Sequence, residues 1–215
     1  MKRMVDIAVA AILLTALAPA LSVVAILIRL DSRGPALFCQ ERVGKNFRRF
    51  RIYKFRTMVA GAAAKGPAIT ANADPRVTRV GSWLRRTKID ELPQLWNVLR
   101  GDMSIVGPRP ELPQYVDRFH EQYRELLRVR PGLTDPSSLK YADEARWLAG
   151  AADPEEIYVS RILPDKLAGA RDYLSGSSLR MDLKLMVLTL LRICGWGDSR
   201  WGNSRRANSQ KENSQ

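Results

Sequence analysis

The stretch that decides the fold is Ile7–Ile28, IAVAAILLTALAPALSVVAILI, 22 residues without a charged side chain. As an α-helix it would be roughly 33 Å long, about the thickness of the hydrocarbon core of a bilayer. The apolar run continues past the small residues Ala16–Ala20, so it is too long for a cleaved signal peptide. The sequence therefore predicts an N-terminal segment inserted in a membrane.

The residues around this segment leave two membrane topologies open. Cations lie on both sides of the apolar run, at Lys2, Arg3, Arg29 and Arg33. Because basic flanks favour the cytoplasm, both ends are expected on that side. Pro19, near the middle, removes a backbone hydrogen bond and favours a bend or a break. One arrangement is a helix-break-helix that returns to the same side, and the other is a straight span with a tolerated kink.

The rest of the chain predicts a small, mostly helical α+β domain associated with the membrane. Residues 36–58, ALFCQERVGKNFRRFRIYKFRTM, have the pattern of a short β-hairpin turning at 44–46. Short helices are expected over 76–87, 90–101 and 113–129, and over 178–193, which could lie on the membrane surface. We therefore divide the chain into a membrane-inserted segment (1–33), a cytosolic domain (34–195) and a polar tail expected to be disordered (196–215).

The charge balance points to an anionic partner. Lys and Arg outnumber Asp and Glu by 35 to 22, a net charge of +13, which suits a nucleic acid, a membrane surface or a phosphorylated substrate. His120 is the only histidine, which excludes a Ser/His/Asp triad and a histidine zinc site. Cys39 and Cys194 are far apart and are expected to be free thiols in a reducing compartment. Any catalysis would use carboxylates, cations and a hard metal ion.

Two adjacent carboxylates, Asp90 and Glu91, lie in the cationic stretch 85–111, RRTKIDELPQLWNVLRGDMSIVGPRPE. Since Pro93 is tolerated only in a first turn, both should lie at a helix N-terminus. The helix dipole and the nearby cations would then lower the pKa values of both groups and keep them ionised. Ionised carboxylates suit a ligand of Mg²⁺ or a nucleophile toward phosphorus. The alternative is a pair of surface ion pairs, each contributing only about 0–1 kcal/mol.

Three blocks carry a resemblance to a known family: KFRTM (54–58), TKIDELPQLWNVLRGDMSIVGPRPE (87–111) and RPGLT (130–134). Their order resembles the monotopic phosphoglycosyl transferases, which are bacterial sugar transferases. The resemblance runs from the membrane segment to about residue 133, and more loosely through 178–191. It implies transfer of a sugar-1-phosphate from a nucleotide diphosphate sugar, usually a UDP-sugar, to a polyprenyl phosphate such as undecaprenyl phosphate. It also implies Mg²⁺ as cofactor and a covalent phospho-sugar intermediate.

The resemblance assigns roles to individual residues. Asp90 would be the nucleophile that attacks the sugar-bearing phosphate and releases UMP. Glu91 would complete the dyad, either by supporting the metal or by handling a proton, and both carboxylates would be metal ligands. The phosphate-binding positions that match the family are Lys54, Arg56, Arg85 and Arg109.

The resemblance also bears on topology and location. The family has a re-entrant helix broken at a Ser-Pro pair, and here the pair is Ala18-Pro19. It therefore favours the re-entrant arrangement, broken at Pro19, with the globular part on the cytosolic face of the bacterial inner membrane. Residues 130–148 depart from the Gly/Gln/Asn-rich stretch of many members, so the sugar stays unassigned.

Two other classes of function are weaker alternatives. A membrane-tethered nucleic-acid binder would explain the charge, but the basic run has no recognised motif and no interleaved stacking aromatics. A membrane scaffold without catalysis would give no reason for the Asp90–Glu91 pair among cations. We therefore expect a transferase that performs the first membrane step of surface glycan assembly, with no nucleic-acid partner. The chain could also form a homodimer.

Overall fold

A computed structural model describes residues 1–62, 66, 74–141, 144–148, 151 and 153–193. Within these residues the helices are α1 (Lys2–Asp31), α2 (Arg79–Thr87), α3 (Leu95–Arg100), α4 (Pro113–Arg118), α5 (His120–Leu126), α6 (Pro136–Lys140), α7 (Glu144–Trp147), α8 (Pro154–Ile157), α9 (Leu163–Ser175) and α10 (Leu179–Ile193). The strands are β1 (Leu37–Val43), β2 (Arg49–Phe55), β3 (Ser104–Val106) and β4 (Gly132–Thr134). The mostly helical α+β class is confirmed, and the predicted tail, 196–215, lies outside the described residues.

The N-terminal helix α1 continues through Pro19 rather than ending there. The predicted division into two helices at this proline is therefore wrong at the level of secondary structure. Proline removes one backbone donor, which an otherwise regular apolar helix can lose without unwinding. The hydroxyl of Ser22 donates to the carbonyl of Ala18 at 2.9 Å, so a serine one turn further along bonds to the backbone beside the proline. Among the described helices, α1 is the one long and apolar enough to cross a membrane.

Both ends of α1 are bonded to the same globular body. At the start, Lys2 Nζ donates to the carbonyl of Val106 at 2.9 Å and pairs with the carboxylate of Asp182. At the end, the backbone N–H of Val80 donates to Asp31 Oδ2 at 3.0 Å. Between these ends the side chains are largely uncovered, as in Ile12, which is 67% exposed. The helix is thus attached at two places and apolar between them.

The predicted hairpin is confirmed. Strands β1 and β2 pair antiparallel, with Leu37 opposite Phe55 and Val43 opposite Arg49, and a 3₁₀ turn at Lys45–Phe47 joins them. The free edge of β2 is held by Asn97, a fully buried residue of α3. Its side-chain amide donates to the carbonyl of Arg51 at 2.8 Å and accepts from the N–H of Tyr53 at 3.1 Å. The Asn97 side chain therefore makes hydrogen bonds that a third strand would otherwise make with β2, and it holds β2 against α3.

A second, parallel pair of strands was not predicted. Strand β3 pairs with β4, with Ser104 opposite Gly132 and Val106 opposite Thr134. Strand β4 is only three residues long and follows directly after Pro131, a pattern that is typical of a loop. The pair matters for the site, since the chain turns directly from Val106 into the Gly107–Pro110 loop.

The hydrophobic core includes the membrane helix. One cluster joins Ala10 of α1 and Ile52 of β2 to Val98 of α3 and Leu185 of α10. A second packs Ile28, near the end of α1, against buried side chains that include Leu84 of α2. The third and largest is formed mainly by α4, α5, α9 and the π-helical segment Tyr158–Ile162. The helix predicted over 113–129 is present as the two helices α4 and α5.

Candidate active site

The adjacent carboxylates lie in a tight turn rather than at the start of a long helix. Residues Ile89–Gln94 form a 3₁₀ segment, and α3 begins only at Leu95. Lys88 ends α2 in the left-handed conformation, with φ 59°. Pro93 has no N–H to donate, so the first turn tightens before the α-helix begins. Asp90 and Glu91 thus lie in the first turn of a 3₁₀ segment that leads directly into α3, so the predicted helix start is present in a tighter form than an α-helix.

Glu91 is held by two cations from distant parts of the chain. Arg109 forms a fork with it, Nη1 to Oε2 at 3.1 Å and Nη2 to Oε1 at 2.5 Å. Lys54 Nζ lies 3.2 Å from Oε1. Burial alone would raise the pKa of Glu91, but Arg109 and Lys54 together hold it well below its usual range. The expectation of an ionised carboxylate is confirmed for Glu91.

The pKa of the neighbouring carboxylate, Asp90, is shifted in the opposite direction. Asp90 is 8% exposed, and its buried Oδ1 has no hydrogen-bond partner within the described part of the chain. Burial, with the negative charge of Glu91, raises the pKa of Asp90 against the opposing effect of Lys54, Lys88 and Arg85. The lowered pKa expected for this group is therefore wrong, because desolvation outweighs the surrounding positive charge. A buried carboxylate oxygen without a hydrogen bond is less stabilised than a hydrated one. Its ionised form is therefore more reactive.

The same two contacts shift the pKa values of the basic partners. Burial lowers the pKa of Lys54, and the charge of Glu91 counteracts this effect. Glu91 in turn raises the pKa of Arg109 above its already high value. The backbone of Arg109 is also held in place, because its N–H donates to Asp135 Oδ2 at 3.2 Å. The Asp135 carboxylate also caps α6, where its Oδ1 accepts from the N–H of Ser138 at 2.5 Å.

Arg85, on α2, is close enough to Asp90 for their charges to interact. Its Nε donates to the hydroxyl of Thr57 at 2.9 Å, which fixes the guanidinium beside the end of β2. Burial lowers the pKa of Arg85, and the charge of Asp90 is the largest effect opposing that shift. The structure thus brings together Asp90 and four other predicted residues, since Lys54 and Arg109 contact Glu91 and Arg85 acts on Asp90.

Arg56 is placed differently from the other predicted phosphate-binding residues. Its guanidinium, 6% exposed with the rest of the residue, donates to the carbonyls that end α1: Ile28 at 3.3 Å, Ser32 at 2.7 Å and Arg33 at 2.8 Å. It also donates to the Ser32 hydroxyl at 3.0 Å. These bonds indicate a structural role at the end of the membrane helix, since they use both terminal nitrogens of the side chain.

Some buried polar residues near the dyad were not predicted as site residues. Gln94, 2% exposed, closes the turn that contains Asp90, and its Nε2 has no hydrogen-bond partner among the residues described. Glu111 ends the Arg109 loop and pairs with Arg42 at 2.7 Å and with the hydroxyl of Tyr158 at 2.5 Å. The sequence gives no clear signal for either, because Gln94 lies between Pro93 and Leu95, and Glu111 lies between Pro110 and Leu112.

The donor set fits a metal ion in part. Within the described ranges, no group of three or more His, Cys, Asp or Glu side chains is placed to hold one. Mg²⁺ commonly uses one or two protein carboxylates and completes its shell with water and substrate phosphates. Asp90, with its unpaired Oδ1, fits this requirement. Glu91 fits it less well, because both of its oxygens already accept from Arg109.

Comparison with known proteins identifies the family of the chain. The model of a family described as "Bacterial sugar transferase" matches residues 1–195. The undecaprenyl-phosphate glucose phosphotransferase of Komagataeibacter xylinus is 41% identical over 198 residues, which cover 89% of this chain and 35% of that protein.

The chain covers very different shares of the length of two further relatives. The UDP-N-acetylgalactosamine-undecaprenyl-phosphate N-acetylgalactosaminephosphotransferase of Aeromonas hydrophila is 39% identical over 197 residues, 89% of this chain and 43% of that protein. The exopolysaccharide production protein PSS of Rhizobium leguminosarum bv. phaseoli is 38% identical over 198 residues, 89% of this chain and 94% of that protein. The chain thus spans less than half of the first two relatives and nearly all of the third. By the family match and by this near-complete relative, the chain belongs to the bacterial sugar transferase family.

Proposed function

We propose that this protein transfers a sugar-1-phosphate from a UDP-sugar to a polyprenyl phosphate, undecaprenyl phosphate in particular, through a covalent intermediate on Asp90. The observation that carries the proposal is the contrast within the dyad. Asp90 has an unpaired buried oxygen, whereas both oxygens of Glu91 are bound by cations. The names of the relatives in Komagataeibacter and Aeromonas support the substrate class.

In the first step, a carboxylate oxygen of Asp90 attacks the sugar-bearing phosphorus. A bond forms between that oxygen and phosphorus, and the bond from phosphorus to the bridging oxygen breaks, so that UMP leaves with the electron pair. The positive charge of Lys54, Arg85 and Lys88, which already acts on Asp90, would attract the diphosphate and stabilise the charge that develops on it. Because Asp90 is desolvated, its ionised form is a stronger nucleophile than a hydrated carboxylate.

In the second step, an oxygen of the polyprenyl phosphate attacks the same phosphorus. The bond from Asp90 to phosphorus breaks, the carboxylate is restored, and the product is a polyprenyl diphosphate sugar. Glu91 acts in both steps as a positioning residue, since its depressed pKa keeps it ionised and its oxygens hold Arg109 and Lys54. Mg²⁺, held by Asp90, would neutralise part of the charge on the substrate phosphates.

The contacts at both ends of α1 support a placement in which the two ends lie on the same side of the membrane. If α1 crossed the bilayer, about 30 Å of hydrocarbon would separate its ends. The same globular body could not then contact Lys2 at one end and Asp31 at the other, as it does. We therefore propose that both ends lie at the cytosolic face of the bacterial inner membrane, where Asp90 can reach a lipid phosphate. A homodimer stays a prediction.

The test is release of UMP from a panel of UDP-sugars, including UDP-glucose and UDP-N-acetylgalactosamine, with Mg²⁺ and polyprenyl phosphate. We expect release by the wild-type protein and a loss of at least about 10³-fold in Asp90→Asn. Asp117→Asn, an exposed carboxylate on α4, is the matched control and should keep full activity. Equal UMP release by wild type and Asp90→Asn would refute the proposal, as would a phospho-sugar adduct trapped on a peptide without Asp90.

A further inference from the structure

A cavity of about 480 Å³ opens beside the first turn of α1. It lies between that turn, the start of α10 and the loop at residues 128–130. None of the candidate active-site residues lines it: Lys54, Arg85, Asp90, Glu91 and Arg109 all lie elsewhere. The cavity is therefore a place distinct from the proposed site of phosphoryl transfer, and its chemistry requires a separate explanation.

The cavity has an excess of positive charge. The cations that line it are Lys2, Arg3, Lys45, Arg128 and Arg130. Two acids also line it, Asp6 and Asp182, and both are buried and occupied. Asp6 accepts from the Ser104 hydroxyl at 2.8 Å, while Asp182 accepts from the Tyr173 hydroxyl at 2.6 Å and pairs with Lys2. The acids thus belong to the framework of the cavity, and the remaining cations give it its charge.

Three of those cations are available to a ligand. Lys45 and Arg128 are exposed, and their side chains make no hydrogen bond or ion pair with the part of the chain that the structure describes. Arg130 is anchored through its Nε, which donates to the carbonyl of Gly101 at 2.8 Å. Its terminal nitrogens have no such partner in the described ranges. A fixed guanidinium beside two unpaired cations is an arrangement that suits a phosphate group.

Exposed apolar side chains lie in the lining of the cavity or next to lining residues in the chain. Met4 on α1 is 72% exposed, Val129 is 38% exposed, and Leu179 at the start of α10 is 40% exposed. Farther along α10 the exposed apolar face continues through Leu183, which is 48% exposed. A basic pocket with an apolar rim, next to a membrane-inserted helix, has the composition that binds anionic lipid headgroups.

We propose that this cavity is a second phosphate site, which binds the phosphate of an anionic membrane phospholipid at the start of α1. The apolar rim would contact the upper part of the acyl chains, while Lys45, Arg128 and Arg130 contact the headgroup. A free phosphate ion offers the same chemistry without the acyl chains, so the two sources are separated by experiment. The inference does not depend on the transfer reaction, because it concerns binding at residues outside the candidate active site.

The test uses the full chain purified in an uncharged detergent. Binding is measured by thermal-shift titration with short-chain phosphatidylglycerol, short-chain phosphatidylcholine and inorganic phosphate. The cavity variant is Lys45→Ala with Arg128→Ala, and the matched control is Arg161→Ala with Arg171→Ala, two exposed cations outside the cavity. Both variants remove the same charge, and charge reversal at Lys45 and Arg128 to Glu provides a stronger second variant.

We expect phosphatidylglycerol to bind the wild type and the control equally, and the cavity variant at least roughly tenfold more weakly, since each cation near a lipid surface contributes about 1 kcal/mol. If inorganic phosphate alone binds as tightly as phosphatidylglycerol, the site is supported and its ligand is a free anion. Equal affinities in the cavity variant and the control would overturn the inference. Binding of phosphatidylcholine as tightly as phosphatidylglycerol would also overturn it, because the cavity would then not select anionic headgroups.

Discussion

At the scale of single residues, the dyad shows that neighbours in sequence can have opposite electrostatics. Burial disfavours the ionised form of Glu91, but the positive charges of Arg109 and Lys54 outweigh this effect, so the pKa of Glu91 falls. Among the residues that the structure describes, Asp90 has no such direct partner, and its pKa rises. The difference lies in contacts made by residues 18 and 37 positions away from Glu91. Two carboxylates with separated pKa values can perform separate tasks.

Asp90 should reduce the stability of the fold. A raised pKa means that the folded state disfavours the ionised form, so stability falls as pH rises through the range above the ordinary value of 3.8. Asp90→Asn removes that charge, and we expect a higher melting temperature at pH 7 together with the loss of activity. Thermal unfolding in detergent at pH 5 and pH 7 checks it. A variant less stable than wild type at pH 7 would contradict the electrostatic assignment.

The rate should depend on pH through the ionisation of Asp90. Because only the carboxylate attacks, the acid limb of kcat/KM should lie above the pH expected for an ordinary aspartate. Lys88 lowers the pKa of Asp90, and its left-handed conformation tolerates asparagine. In Lys88→Asn we therefore expect the limb to move to higher pH.

The exposed Arg86 on α2 is the control for this shift, since it is not among the groups that act most strongly on Asp90. Arg86→Asn should leave the pH profile where it is. High salt should reduce the shift seen in Lys88→Asn, because the lysine is exposed. An unchanged profile in Lys88→Asn at low salt would refute the assignment of the limb to Asp90.

At the scale of elements, the end of β2 joins the membrane helix to the dyad. Lys54 contacts Glu91, and two residues later Arg56 caps the end of α1. Thr57 then accepts from Arg85, which lies beside Asp90. Three contacts within four consecutive residues therefore link the exit of the membrane helix to both carboxylates. A displacement of α1 would be transmitted to the site through this segment.

Gly34 is required for this junction. Its φ is +122°, and a Cβ there would lie 2.2 Å from Arg56 Nη1. Gly34→Ala should both strain the backbone and displace the guanidinium, and we expect it to lower the free energy of unfolding by about 2–4 kcal/mol. Gly61, with φ +75° and open space around its Cα, is the control for strain alone, at a cost of about 1 kcal/mol. Equal losses measured by denaturant unfolding would show that the Arg56 contact does not matter.

Local sequence patterns predicted several elements and missed others for identifiable reasons. The alternating β1 and β2, the helix α2 and the apolar α10 follow from periodicity, and α3 stops at Gly101 as expected. Pro19 was given too much weight as a breaker and Pro93 too little, since the surroundings decide whether a proline ends a helix. The pair β3 and β4 is only three residues long in each strand, too short for any periodic signal.

At the scale of the whole molecule, the membrane topology of α1 is open to direct measurement. In a Cys39→Ser, Cys194→Ser background, a single cysteine replaces Met4, which is 72% exposed. In intact cells we expect no labelling of this cysteine by a membrane-impermeant maleimide, and labelling after permeabilisation. The native exposed Cys39 on β1, retained alone, is the reference for the globular side. Labelling of Met4→Cys, but not of Cys39, in intact cells would mean that α1 spans the bilayer.

The resemblance of sequence blocks predicted the composition of the candidate site better than its arrangement. It assembled Lys54, Arg85, Asp90, Glu91 and Arg109, because these positions recur in the motifs. It could not show that Glu91 is saturated by cations, that Arg56 binds the end of α1, or that burial exceeds charge at Asp90. These outcomes depend on which distant segments meet, and on how much water each group keeps.

Ala10 is fully buried, and Asp6 accepts hydrogen bonds from the Ser104 hydroxyl and from the N–H of Ile105. Helix α1 is therefore part of the protein interior as well as an apolar segment suited to a bilayer. An attempt to obtain a water-soluble enzyme by deleting residues 1–33 would therefore remove part of the interior. It would leave Arg56 without its carbonyl partners and the N–H of Ile105 without an acceptor. Solubility is better pursued by substituting the exposed side chains of the helix, such as Ile12 and Ile26, while its two attached ends are kept.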